Sequence, residues 1–237
     1  MRERSHKKEL MDGPLENPDQ LYKNLEELIF INRWSSAYGA VFQHLKKMIQ
    51  RDRGSDLTLI DIGCGAGDFL WYIFRRKEQL GGKIHLIGLD AEPHAITYAK
   101  ERYPQMATEV EWIVSDYKSF LTTDRKIDLL TCNLFCHHLS DEEITQLIST
   151  VNKKVGTGAI INDLHRHPLA YHSIKLLTRL FSSSEYTKND APLSVLRGFR
   201  RNEWKNLIDS AESKDSMKWE IGWKWAFRHV ITAVRKR

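Results

Sequence analysis

The sequence is short of cysteine, with three in 237 residues (Cys64, Cys132 and Cys136), all well inside the chain. That is too few for a disulfide framework and suits a reducing, cytoplasmic setting. Long hydrophobic runs are also missing. Nothing approaches the ~20 apolar residues that cross a bilayer. No apolar segment follows the basic start MRERSHKK, so neither a membrane span nor a secretion signal is expected. Yet 41% of the residues are hydrophobic and 28% charged, which excludes a disordered chain. The length allows one large domain or two small ones with a real core.

A surplus of positive charge is missing too, outside the ends. The formal charge is +5, but residues 1–8 carry a net +3 and Arg235, Lys236 and Arg237 another +3, leaving the body at about −1. Basic ends of this kind are read as solvated tails, and residues 1–17 are expected to be disordered. A nucleic-acid partner is therefore disfavoured.

What is present is alternation. From Pro18 to about Gln50, apolar residues recur at helical spacing and predict one broken helix or two short ones ahead of the main domain. The runs 57–62, 83–90, 110–116, 127–133 and 159–164 then read as buried strands, with helical stretches between them. The rhythm argues for an α/β fold, a mostly parallel sheet with helices on both faces. After the fifth strand it is interrupted. An amphipathic stretch over 169–181 and an irregular segment, SSSEYTKNDAPLSVLRG, read as an insertion over about 168–198. A helix at 202–212 and a terminal strand pair complete the chain.

The first strand runs into DIGCGAGD (61–68), with glycines at 63, 65 and 67. A dinucleotide fingerprint needs glycine at the sixth position from Gly63, where Asp68 stands, and a phosphate-cradling loop needs a lysine that is absent. Acidic-x-Gly-x-Gly-x-Gly after a first strand resembles instead the class I S-adenosylmethionine-dependent methyltransferases, and the resemblance continues in register along about 57–164. Carboxylates at this loop repel a phosphate but tolerate a sulfonium and an amino group.

The resemblance implies a Rossmann-like, seven-stranded sheet, with residues 18–50 as a helical cap and 51–237 as the catalytic domain. It implies S-adenosylmethionine as cofactor, held by Asp61, Gly63, Cys64, Gly65, Gly67, Asp90, Ala91, Asp116, Tyr117, Asn133 and Leu134. Asp90 ends the second strand, where the family places an acid that accepts both ribose hydroxyls. Asp116 and Tyr117 stand where it contacts the adenine. The segment TCNLFCHHLSDEE (131–143) resembles the family's fourth-strand region, which makes His137 and His138, with His165 beyond the fifth strand, the candidate bases. Acceptor specificity in this family resides outside the sheet, which here nominates Arg33, Trp34, Tyr38, Arg166, Tyr171 and Arg197.

No metal is expected. The pair His165 and His167 lacks further ligands, and neither a cysteine pair nor an H-E-x-x-H helix is present. The ELMD, INRW and SVLRGF segments loosely resemble small-molecule methyltransferases found beside polyketide and pigment pathways. The expected acceptor is accordingly an oxygen of a small aromatic or acyl-type metabolite. Two alternatives stand: RNA or protein methylation by the same fold, and a non-catalytic partner subunit. CNLFCHH occupies the place of a D/N-P-P-Y/F/W segment, which disfavours amino methylation in that style. The sequence leaves the choice between monomer and homodimer open.

Overall fold

A computed structural model describes residues 1, 3–13, 17–52 and 56–236. Arg2 and Arg237, two of the charges assigned to the tails, lie outside the described residues. Seven strands form one sheet: β1 (Leu57–Ile62), β2 (Ile84–Asp90), β3 (Val110–Val114), β4 (Ile127–Asn133), β5 (Val155–Leu164), β6 (Met217–Lys224) and β7 (Arg228–Arg235). Their order is β3-β2-β1-β4-β5-β7-β6, with β7 alone antiparallel to its neighbours β5 and β6. The chain doubles back between β1 and β4, and it is outside the carboxyl ends of strands at such a point that open α/β sheets bind ligands.

The strands alternate between two cores, as period-two side chains must. In β1, Leu57 and Leu59 point to one core and Ile60 and Ile62 to the other. The first face is covered by α2 (Gly39–Arg51), α3 (Asp68–Phe74) and α4 (Pro93–Arg102), through residues such as Phe42, Leu70 and Ile96. The second is covered by α5 (Tyr117–Thr122), α6 (Asp141–Lys154) and α9 (Arg201–Ser210), through Phe120, Leu147 and Trp204. Three further helices gather over the carboxyl ends of the strands: α1 (Pro18–Trp34), α7 (Pro168–Phe181) and α8 (Glu185–Arg197).

The sequence-based elements agree with this architecture, with two corrections. The segment expected to be irregular forms α8. Ser184 caps it by accepting from the Thr187 N–H, and the buried Thr187, Pro192 and Val195 pack inward although Pro192 interrupts the backbone ladder. Tertiary packing here outweighs the proline signal. The second correction concerns the tail. Where disorder is expected, Arg4 donates to the Arg197, His137 and Leu139 carbonyls, pairs with Asp141 at 2.8 Å, and lies 4.2 Å over the Phe199 ring. Leu10 and Met11 donate their backbone N–H groups to the buried Asp190 carboxylate, and Glu9 is 3% exposed. Arg4 and Asp12 form specific pairs with the body, which a count of net charge does not reveal.

Candidate active site

The glycine loop after β1 is shaped by backbone conformations that side chains resist. Gly63 has φ +65°, and a Cβ there would lie 2.4 Å from the Phe135 ring. Gly65 has φ +50° with nothing within 4 Å of the Cβ position, so its surface is left open to a ligand. The Gly65 N–H donates to one oxygen of Asp90 at 2.8 Å, while the Glu92 N–H donates to the other at 2.9 Å. The Asp90 carboxylate is thereby oriented, with lone pairs remaining on both oxygens.

Asp61, 1% exposed, accepts from the Thr131 hydroxyl at 2.8 Å and the Asn133 amide at 3.0 Å. Burial pushes its carboxyl up to about 7, and the nearby Asp68 and Asp90 push the same way. Asp68 accepts from the Tyr38 hydroxyl at 2.6 Å, and burial raises its carboxyl as well. Three carboxylates thus face one end of a single cavity of about 490 Å³. Such a cluster attracts a cationic group and repels phosphate.

The same cavity is lined by other chemistry as well: Leu25, Leu28, Ile29 and Ile174 supply apolar wall, and Tyr186 and Ser194 add hydroxyls. His137 and His138, in a turn after β4, stand beside Glu9 and Asp12 there. The His137 ring Nδ1 lies 2.8 Å from Asp163 Oδ1, and its backbone N–H donates to Asp163 Oδ2. The His138 Nδ1 lies 2.7 Å from Asp12 Oδ1. Burial alone raises the Asp163 carboxyl, but the His137 charge and hydrogen bond outweigh it and hold the group below its ordinary value. The same contest at Asp12 is won by His138 and Arg197. At Glu9 burial prevails and pushes the carboxyl up to about 7.

Comparison with known proteins adds the family. Residues 53–212 match the model of a methyltransferase domain. The chain belongs to that family, and with the motif it carries it is a class I S-adenosylmethionine-dependent methyltransferase. Over 180 residues it is 26% identical to the tRNA N(3)-methylcytidine methyltransferase trm140 of Schizosaccharomyces pombe, covering 73% of this chain and 56% of that protein. Over 114 residues it is 32% identical to the putative methyltransferase 235L of Invertebrate iridescent virus 6, covering 42% and 39%. The chain therefore spans about half the length, or less, of these curated relatives.

Among solved structures, the plantazolicin methyltransferase BpumL, in complex with a monoazolic desmethylPZN analog and SAH, superposes with a TM-score of 0.65 at 17% identity. That match covers 93% of this chain and 89% of the other. The magnesium protoporphyrin IX methyltransferase ChlM of Synechocystis PCC 6803, with bound SAH, gives 0.54 at 14% identity, covering 93% and 100%. At these identities the likeness is one of fold.

Within this methyltransferase the expected site residues divide. Asp61, Gly63, Cys64, Gly65, Asp90, Ala91, Asn133 and Leu134 line the cavity, as do His137, His138 and Tyr38. Gly67 does not; it caps α3 at φ +71°. Asp116 is an exposed N-cap that accepts from Ser119, and Tyr117 packs edge-on against Phe135, both outside the cavity wall.

His165 is also outside, accepting from the Trp223 indole at 3.2 Å and stacked near His229. Arg33 and Trp34 are exposed, and Tyr171 lies beside His172 and Lys175 on α7, away from the wall. Arg166 is fully buried and tied to Glu203 and the Gly198 carbonyl, which makes it a brace under α9. Arg197 clamps the His137 and His138 carbonyls and Asp12, again from behind the wall.

Sequence reasoning missed Glu9, Asp12, Asp163 and Arg228 as parts of the site. An E-x-x-D pair inside a basic segment was the available signal for the first two. Asp163 sits at a strand end like Asp61 and Asp90. For Arg228, which lines the cavity and donates to Ser35 at 2.8 Å, nothing local distinguishes it from a surface arginine.

Proposed function

We propose that the protein transfers the methyl group of S-adenosylmethionine to an oxygen of a small aromatic or acyl-type metabolite in the cytoplasm. One observation carries this reading: a single cavity is lined by the glycine loop with its carboxylates, by apolar side chains and by two histidines. Asp90, held by Gly65 and Glu92, suits the ribose diol, and buried Asp61 suits the ammonium group of the methionine part. Gly63 and Gly65 admit the ligand against the backbone. S-adenosylmethionine supplies an electrophilic methyl on a sulfonium, whose departure leaves a neutral thioether and needs no acid.

The chain's own task is to hold donor and acceptor in line and to keep water out, a contribution of about 7–11 kcal/mol at best. The walls from α1 and α8 exclude water. On the cavity wall, His137, His138 and Glu9 offer electron pairs that can relieve an acceptor hydroxyl or carboxyl of its proton. His137 is positioned for this by two contacts with Asp163.

The likeness to trm140 keeps RNA as the second reading. The acidic lining and the neutral body favour the small acceptor. A labelled-methyl screen against phenols, hydroxy acids, carboxylic acids and bulk tRNA tests the choice. Label in a small phenol or acid is the expected outcome; label in tRNA alone would overturn it.

A further inference from the structure

Glu9, His137 and His138 converge in a way that no hydrogen bond explains. Each ring presents its Nδ1 to a carboxylate, His137 to Asp163 and His138 to Asp12. In the neutral rings that metal ligation requires, those contacts place the proton on Nδ1 and leave a lone pair on each Nε2. Both Nε2 atoms face Glu9: His137 Nε2 is 3.8 Å from Oε1, and His138 Nε2 is 3.9 Å from Oε2. These separations are too long for hydrogen bonds. The three ligand atoms lie within 4.8 Å of one another. Three electron-pair donors thus point at one spot; the nearest donors beside them are the Ser194 hydroxyl, 2.9 Å from Glu9 Oε1, and Arg197 Nε, 3.9 Å from the same oxygen.

We propose that Glu9, His137 and His138 bind a divalent transition-metal ion of the zinc, iron, cobalt or manganese class. Bonds of about 2.1 Å from two imidazoles and a carboxylate set neighbouring ligand atoms about 3.0–3.5 Å apart. The separations of 3.8 and 3.9 Å, and of at most 4.8 Å among the three ligand atoms, contract to that value with side-chain movements of about 0.3 Å to somewhat more than 1 Å. Nitrogen ligands select against magnesium and calcium. Both histidines already carry the outer carboxylate partner that fixes ring orientation in metal sites.

Carboxylates predominate around the three atoms: Glu9, Asp12, Asp163 and Asp190 gather there, while Arg4 is paired with Asp141 and Arg197 with Asp12. All three residues line the cavity, from which the remaining coordination positions are reached. On the methyl-transfer reading, which this role alone rests upon, the ion would hold the acceptor oxygen and ionise it. The histidines then act as ligands rather than as bases.

The test is metal binding by the full chain after chelator treatment. Cobalt(II) is titrated in by visible absorption and zinc(II) by calorimetry, with a parallel titration of S-adenosylmethionine. One ion per chain is expected, with affinity at least tenfold weaker in Glu9→Gln and in His138→Ala. Asp12→Asn, which alters the outer partner of His138 and also loosens Arg197 and the Glu9 backbone N–H, weakens it about 10–100-fold. His165→Ala leaves it unchanged, because that ring lies outside the cluster. Absence of stoichiometric uptake, or uptake undiminished in Glu9→Gln whose melting temperature shows it folded, overturns the proposal and leaves a shared proton at the three atoms. Ion uptake without S-adenosylmethionine binding would sustain the metal site while removing the methyl-transfer reading.

Discussion

Replacing Asp61 by asparagine should separate the stability of the fold from its ability to hold a cationic ligand. The carboxyl is moved from its ordinary 3.8 to about 7, chiefly by burial. Because the folded value is raised, the protonated acid suits the fold. The stability it contributes is full below pH 3.8 and is lost progressively as pH rises through about 7. At pH 8 the ionised carboxylate then costs about 4 kcal/mol in the ligand-free protein.

Asparagine keeps the oxygen that accepts from Thr131 and Asn133 and carries no charge. If half of that cost is recovered, the variant melts about 4–8 °C higher at pH 8, at 2–4 °C per kcal/mol for a chain of this size. The gain should vanish near pH 4. Saturating S-adenosylmethionine should reverse the order, since only the carboxylate can pair with its ammonium group. Differential scanning fluorimetry from pH 4 to 8.5, with and without cofactor, reads all three effects. A variant destabilised at every pH, or stabilised by the cofactor as strongly as the parent, would refute the reasoning.

Other substitutions test other links. Gly63→Ala forces a Cβ into the Phe135 ring at a positive φ and should cost about 1–3 kcal/mol in urea unfolding, with cofactor binding reduced in what remains folded. Asp163→Asn should lower turnover and leave the affinity for S-adenosylmethionine close to that of the parent, because it acts through His137; equal loss in both would make Asp163 merely structural. Arg166→Ala removes the buried member of a pair with the partly exposed Glu203 and should cost about 1.5–3 kcal/mol, visible as a lower unfolding midpoint, while acceptor preference stays unchanged. Deleting residues 1–12 should abolish turnover, since Glu9 and Asp12 leave the cavity wall, and should expose α8 to limited proteolysis.

The parts of this structure that local rules govern are legible in the sequence. The β-branched runs, the glycine loop and the carboxylates at 61 and 90 each announce themselves, because backbone conformation and strand ends impose specific residue types. The helix N-cap at Ser140 is of the same kind, accepting from Glu143 in a reciprocal pair. What escaped notice depends on partners distant in sequence. Arg166 and Arg197 look like ligands for a substrate until Glu203 and the His137 carbonyl are seen beside them. Asp116 sits at the expected strand end, but the local N-cap bond to Ser119 claims its side chain. The tail looks solvated because the partners that hold it lie more than 130 positions away: Asp141 pairs with Arg4, Arg197 with Asp12, and Asp190 accepts from the Leu10 backbone.

Calorimetric titration of the purified chain with S-adenosylmethionine tests the central claim most directly. The account predicts one site per chain, with affinity rising as pH is raised toward 7 and levelling above it, because a bound cation favours the ionised Asp61 and releases its proton. Asp90→Ala should weaken that binding at every pH. Absence of heat at any pH, together with an unchanged melting temperature at saturating cofactor, would contradict it.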